Sequence, residues 1–164
     1  MLILAIAILL TIIGYGLLFG PPFVPTHLKD LERLFSEVDV SNKVFVDLGM
    51  GDGRVLKVAL EFGASEVVGY EINPFVYGFA RIKFRNTEHC SFHLGPWQNG
   101  DVPDGAVVYV FADGRRKLAH EISDTFSRHK VITYGARLEG RSGTQIGAHT
   151  VHMPVAKHKQ NRVA

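Results

Sequence analysis

Asp47-Leu48-Gly49-Met50-Gly51-Asp52-Gly53 sets three alternate glycines behind a carboxylate. Glycine accepts a positive φ and lets a ligand approach the backbone closely. A helix that starts after such a turn also offers unbonded N–H groups. This is chemistry for a nucleotide-shaped ligand. The dinucleotide fingerprint needs a third glycine three residues after the second, and counting from Gly51 that position is Arg54. Asp47 and Asp52 would repel a pyrophosphate, whereas a sulfonium with an amino group is a cation that carboxylates attract. Spacing and acids together favour S-adenosylmethionine. Glu71, 18 residues after Gly53, stands where an acid accepts hydrogen bonds from ribose hydroxyls. Either feature alone is compatible with an ordinary turn; the pair is more selective.

Such a turn binds ligands when it lies beyond the carboxyl end of a strand in an open α/β sheet. The surrounding pattern supplies that setting. A helix is expected from about Leu28 to Val38, capped by Thr26, with Leu28, Leu31, Leu34 and Phe35 on one face. Val44–Leu48 is a short apolar run that suits a buried parallel strand. A helix follows over about Gly53–Phe62, then a strand over Glu66–Glu71. Pro74 suits the first turn of a helix reaching about Asn86. Strands are expected at Ser91–Leu94, Ala106–Phe111 and Val131–Tyr134, with a helix over about Arg115–Arg128. Thr144–Val155 alternates loosely and reads as a terminal strand or hairpin. The alternation predicts an α/β, Rossmann-like, doubly wound and mostly parallel sheet.

The chain has 164 residues, room for one domain; 46% are apolar and 21% charged, so a core is expected. A net charge of +2 gives no ground for nucleic acid as a partner. Residues Met1 to His27 contain no Asp, Glu, Lys or Arg, and Leu2 to Gly20 is almost wholly apolar. A helix of about 20 residues spans about 30 Å, the hydrocarbon thickness of a bilayer. Residues 1–25 are thus expected to be a hydrophobic anchor helix plus a proline-rich linker, and 26–164 the domain. A signal peptide is disfavoured because no base precedes the run and Gly20-Pro21-Pro22 is a poor cleavage site. Lys29 and Arg33 place the domain on the cytoplasmic (or matrix) side of a single-pass protein.

With these residues in hand, the chain resembles the class I methyltransferases, and within them the lysine methyltransferase family of the ATP synthase c-subunit and the adenine nucleotide translocase. The resemblance rests on Pro22-Phe23-Val24-Pro25, on Val46-Asp47-Leu48-Gly49 with Gly51-Asp52-Gly53-Arg54, and on Gly69-Tyr70-Glu71-Ile72-Asn73-Pro74. It implies an S-adenosylmethionine-dependent enzyme acting on a protein lysine, possibly of a membrane protein. It implies that Asp47, Gly49, Met50, Gly51, Asp52 and Gly53 line the methionine and ribose part of the cofactor. Glu71 would hold the ribose, and Ile72, Asn73 and Pro74 would shape the helix start beside the adenosine. Two departures stand out. Leu94-Gly95-Pro96-Trp97 lacks the acid that reads the adenine amino group, so Trp97 is expected near the adenine instead. Ala112-Asp113-Gly114 replaces an apolar-proline turn.

An attacking lysine must lose a proton, and a group at the end of the fourth or fifth strand is the candidate acceptor. Asp113 is that candidate, or a helix N-cap before Arg115; Tyr134 is the second. His149 and His152 fall on opposite faces of a strand by their odd spacing, so no metal site is expected. Lys157, Lys159 and Arg162 form a basic tail that is a solvated terminus or a lipid contact. Methylation of a small apolar molecule or lipid, and a cofactor-binding module without activity, are the other functions open to such a chain.

Overall fold

The computed structural model describes residues 26–112 and 116–155, with Ile3 and Gly14 as isolated positions. Apart from those two positions, the expected anchor over 2–20 lies outside them, as do the Pro22–Pro25 segment, Asp113 and the basic tail. Among the described residues no helix is long and apolar enough to cross a membrane.

The elements run α1 (Leu28–Glu37), β1 (Val44–Asp47), α2 (Arg54–Glu61), β2 (Glu66–Glu71), α3 (Pro74–Lys83), β3 (Cys90–Leu94), β4 (Val107–Phe111), α4 (Arg116–Thr125), β5 (Lys130–Tyr134), β6 (Gly143–Ile146) and β7 (His149–His152). A 3-10 turn occupies Trp97–Asn99. The seven strands pair in the order β3-β2-β1-β4-β5-β7-β6. The first five are parallel, and β7 joins β5 antiparallel. The tail is therefore a hairpin, and its second strand slots in ahead of its first. Two residues, Gly147 and Ala148, make the reversal, with Gly147 at φ 58°.

Parallel strands are covered on both faces, which explains their unbroken apolar runs. Phe45 joins a core layer with Leu31, Leu34 and Leu56, while its neighbour Val46 joins the opposite layer with Val108, Ile122 and Val131. Helices α1 and α2 thus cover one face of the sheet and α4 the other.

Two local expectations are corrected. Thr26 does not cap α1; His27 flanks the helix, which has no side-chain cap. The Thr26 hydroxyl instead bonds the Tyr109 hydroxyl, 3.3 Å away in the core. Leu28, expected on the buried face, is 55% exposed. Tyr109 also meets His149 Nε2 at 3.2 Å. His152 Nε2 lies 3.2 Å from the Thr133 hydroxyl and accepts from the Leu138 N–H. The two imidazoles do face opposite sides of the sheet. Among the described residues no cluster of His, Cys, Asp or Glu could hold a metal ion.

The hairpin is held by a buried arginine. Arg141 is 7% exposed and donates to the carbonyls of Phe126, His129 and Met153. Burial pushes its pKa down, yet these bonds keep the guanidinium satisfied. Arg141→Ala removes the guanidinium that ties the carbonyls of Phe126, His129 and Met153 together and is expected to lower the unfolding free energy by about 2–4 kcal/mol. Urea denaturation at constant m-value checks it; a change in midpoint no larger than that of an exposed arginine would refute the role.

Candidate active site

The site begins where β1 stops. Asp47 is the last residue of β1, and its carboxylate accepts from the Gly49 N–H at 3.1 Å. The chain then crosses to β2, where the Met50 N–H bonds the Tyr70 carbonyl at 2.9 Å. The Met50 side chain is buried under β2. A Cβ at Gly69 would lie 2.3 Å from Met50 Sδ, which is why the second strand needs a glycine there. Met50 therefore presents its backbone, not its side chain, at the strand end.

Gly51 and Gly53 have φ of 55° and 77°, values an L side chain seldom adopts. Gly51 turns its N–H toward β2 and donates to Glu71 Oε2 at 3.1 Å. The other Glu71 oxygen accepts from the Asn73 N–H at 2.8 Å. Each oxygen retains a second lone pair for a ligand donor. Asn73 caps α3, accepting from the N–H groups of Phe75 and Val76, with Pro74 in the first turn. One short segment thus both fixes the carboxylate and starts the helix.

Asp47 is nearly inaccessible. Burial pushes its pKa up to about 7; the Gly49 N–H opposes this, and the nearby charges of Glu71 and Asp52 add to it. A buried acid in the field of two others is a place where a cation is favoured. Asp52 behaves differently. Burial pushes its pKa up, but hydrogen bonds from Arg54 and Lys83 outweigh that and hold it below the usual value. Arg54 Nε lies 3.0 Å and Lys83 Nζ 3.2 Å from its carboxylate. Asp52 braces the turn against α3 rather than offering a free carboxylate.

The remaining candidates separate. Trp97 packs in the core on the α4 side, its ring 5.3 Å from that of Phe126. Tyr134 ends β5, half-buried and stacked on Phe111 at 5.0 Å; the two rings form an aromatic wall beyond β4 and β5. Asp113 lies outside the described residues. Ile72 and Leu94 are 44% and 54% exposed beside Glu71, and Leu94 pairs with Glu71 in the sheet register. Leu94 escaped the sequence reading because the end of a buried strand gives no sign that its last side chain is open.

The residues fit a sulfonium nucleoside. A Cβ at Gly49 would meet no protein atom within 4 Å, so that glycine leaves space open beside the strand end. Asp47 lends negative charge beneath the turn, Glu71 keeps acceptors for a diol, and Ile72 and Leu94 offer apolar surface to a flat base. Gly49→Ala is expected to change the unfolding free energy by no more than about 1 kcal/mol. The same change weakens nucleoside binding about tenfold or more, by crowding the space a ligand would fill. In Gly53→Ala the pattern reverses, because the new Cβ would lie 2.7 Å from the Phe84 ring at positive φ; about 1–3 kcal/mol of stability is lost. Calorimetric titration beside urea unfolding separates the two, and equal behaviour of both variants would refute the assignment.

No family model matches the chain. Among solved structures, an RNA methyltransferase from Salinibacter ruber in complex with S-adenosyl-L-homocysteine aligns with 83% of this chain and 97% of its own. The TM-score is 0.64 at 20% identity, which shows the fold. The domain has the class I methyltransferase fold, with its glycine turn at the strand ends. Its sequence is 36% identical to the human lysine N-methyltransferase of the ATP synthase c-subunit over 112 residues, 63% of this chain and 48% of that protein. It is also 32% identical to a ribosomal protein L11 methyltransferase of Hamiltonella defensa over 118 residues, 69% of this chain and 38% of that protein. The chain spans half or less of the length of these relatives.

Proposed function

We propose that this chain transfers the methyl group of S-adenosylmethionine to a lysine of a membrane-associated protein. In this reading residues 2–20 are a single-pass anchor and the domain lies on the cytoplasmic (or matrix) side. The observation that carries the proposal is the clamp between Glu71 and the Gly51 N–H, which joins the glycine turn to the acid of β2 at the strand ends. Similarity to a lysine N-methyltransferase supports the acceptor. The uncharged, apolar run before His27 supports the membrane.

Once bound, the cofactor supplies an electrophilic methyl carbon, so the task of the protein is placement. Asp47, Glu71 and the backbone of residues 49–53 hold the nucleoside. The acceptor amine approaches from beyond β4 and β5, where Phe111 and Tyr134 exclude water. Desolvation there lowers the amine pKa and favours the neutral nucleophile. The Tyr134 hydroxyl orients that amine, and Asp113, two residues beyond β4, takes its proton.

A second reading, with a ribosomal protein as acceptor, draws on the similarity to the L11 methyltransferase, which covers slightly more of this chain. Radiolabelled cofactor incubated with the full chain and with membrane or ribosome fractions distinguishes them. Label in a membrane protein, lost in Glu71→Ala, is the expected result. Label only in a ribosomal protein supports the second reading, and label in lipid supports a small apolar acceptor. Binding without transfer to any fraction would refute catalysis.

A further inference from the structure

Helix α3 is built unlike the other helices. Of its ten residues only Ala80 is buried. Phe79 and Ile82, three apart and so on one side of the helix, are 61% and 66% exposed. Its flank is basic: Arg81, Lys83 and Arg85 lie in a stretch, Pro74 to Thr87, that contains no acid. Large apolar side chains beside bases on one helix are the makings of an interfacial helix on an anionic bilayer.

A chain of contacts locates this helix relative to the N-terminal segment. The Thr26 carbonyl accepts from Arg54 Nη1 at 3.2 Å. Arg54 pairs with Asp52, which pairs with Lys83 at the last position of α3. Thr26 is thus linked through Arg54 and Asp52 to the C-terminal turn of α3. Gly20, the last residue of the apolar run, is six residues from Thr26, a reach of about 20 Å when extended. A tether of that length lets a bilayer that holds residues 2–20 meet the α3 side of the domain.

We infer that α3 is a second membrane contact, with Phe79 and Ile82 in the headgroup–acyl boundary and Arg81 and Arg85 against anionic lipid phosphates. This rests on the reading of residues 2–20 as an anchor. With α3 flat on the bilayer, the strand ends that carry Glu71 open along the membrane surface, where an acceptor lysine of a membrane protein is presented.

The test places p-benzoylphenylalanine at position 79 or 82 of the full chain, and at 124 as control. Asp124 is exposed on α4, across the sheet from α3. The variants are incorporated into phosphatidylcholine vesicles with or without phosphatidylglycerol and irradiated. Lipid adducts are expected at 79 and 82 and not at 124. The anionic lipid should raise the yield, and Arg81→Gln with Arg85→Gln should abolish that rise. Resistance to alkaline carbonate reports the anchor separately. A carbonate-resistant chain without lipid adducts at 79 or 82 overturns the inference and leaves the anchor standing. A chain that carbonate extracts overturns both. Adducts to residues 1–25, to a second copy, or equally at 124 also overturn the inference.

Discussion

Glu71→Ala is expected to weaken binding of S-adenosylmethionine and of S-adenosylhomocysteine by the same large factor. The carboxylate has two functions in the structure. It pins the Gly51 and Asn73 N–H groups, and each oxygen has a second lone pair left for a ligand donor. Two charge-assisted hydrogen bonds of about 1.5–3 kcal/mol each correspond to roughly 10²- to 10⁴-fold in affinity. The loss is common to both nucleosides because they share the ribose and differ at sulfur. Glu71→Gln does not rescue, since its amide NH₂ would face one of the two backbone donors. Calorimetric titration of the variants with both nucleosides checks this. Retained affinity in Glu71→Ala would remove the acid from the site, and a loss confined to the sulfonium form would move it from the ribose to the cation.

The second large effect concerns pH and separates the cofactor from its demethylated product. Asp47 has a pKa of about 7 in the folded, ligand-free chain. A cation bound nearby favours the carboxylate and lowers that value, so binding releases a proton. Affinity for S-adenosylmethionine is therefore level above pH 7 and falls below it, by up to about tenfold per pH unit. Neutral-sulfur S-adenosylhomocysteine shows a weaker dependence. Asp47→Asn removes the dependence and selectively weakens the sulfonium ligand. Titrations from pH 5.5 to 8.5 check it; a pH-independent affinity in the parent would refute the role of Asp47.

Stability is a poorer readout of this acid. A carboxyl whose folded pKa is raised holds its proton in the native state, so Asp47 makes the chain less stable as pH rises from about 4 to 7. His152 acts in the opposite sense. Burial, then the charges of Arg141 and Arg137, push its pKa down to about 4, so stability is lost as pH falls below 6.5. The two slopes oppose each other across the same window, whereas nucleoside affinity isolates Asp47.

Local rules made much of the fold and part of the site legible in the sequence. A turn that needs positive φ at residues 51 and 53 demands glycine whatever surrounds it. A strand covered on both faces demands an apolar run, and Asn73-Pro74 announces a helix start within four residues. These constraints act over one turn or one strand, so residue order alone reveals strand, turn, helix and the acid at 71. What a side chain touches is decided by elements far apart in the chain. Asp52 carries the same carboxylate as Asp47, yet Lys83, 31 residues on, makes it a brace. Thr26 reads as a cap, but Tyr109 draws it into the core. Trp97, expected near the adenine, has Phe126 as a packing partner 29 residues on. The hairpin at 143–152 is one of two readings of an alternating segment, and its insertion beside β5 follows from pairing that only the assembled sheet provides. Residue order determined that a cationic nucleoside suits the end of β1. Tertiary packing decided which acids remain available to it, because burial and long-range partners, not residue type, set the charge and direction of a carboxylate.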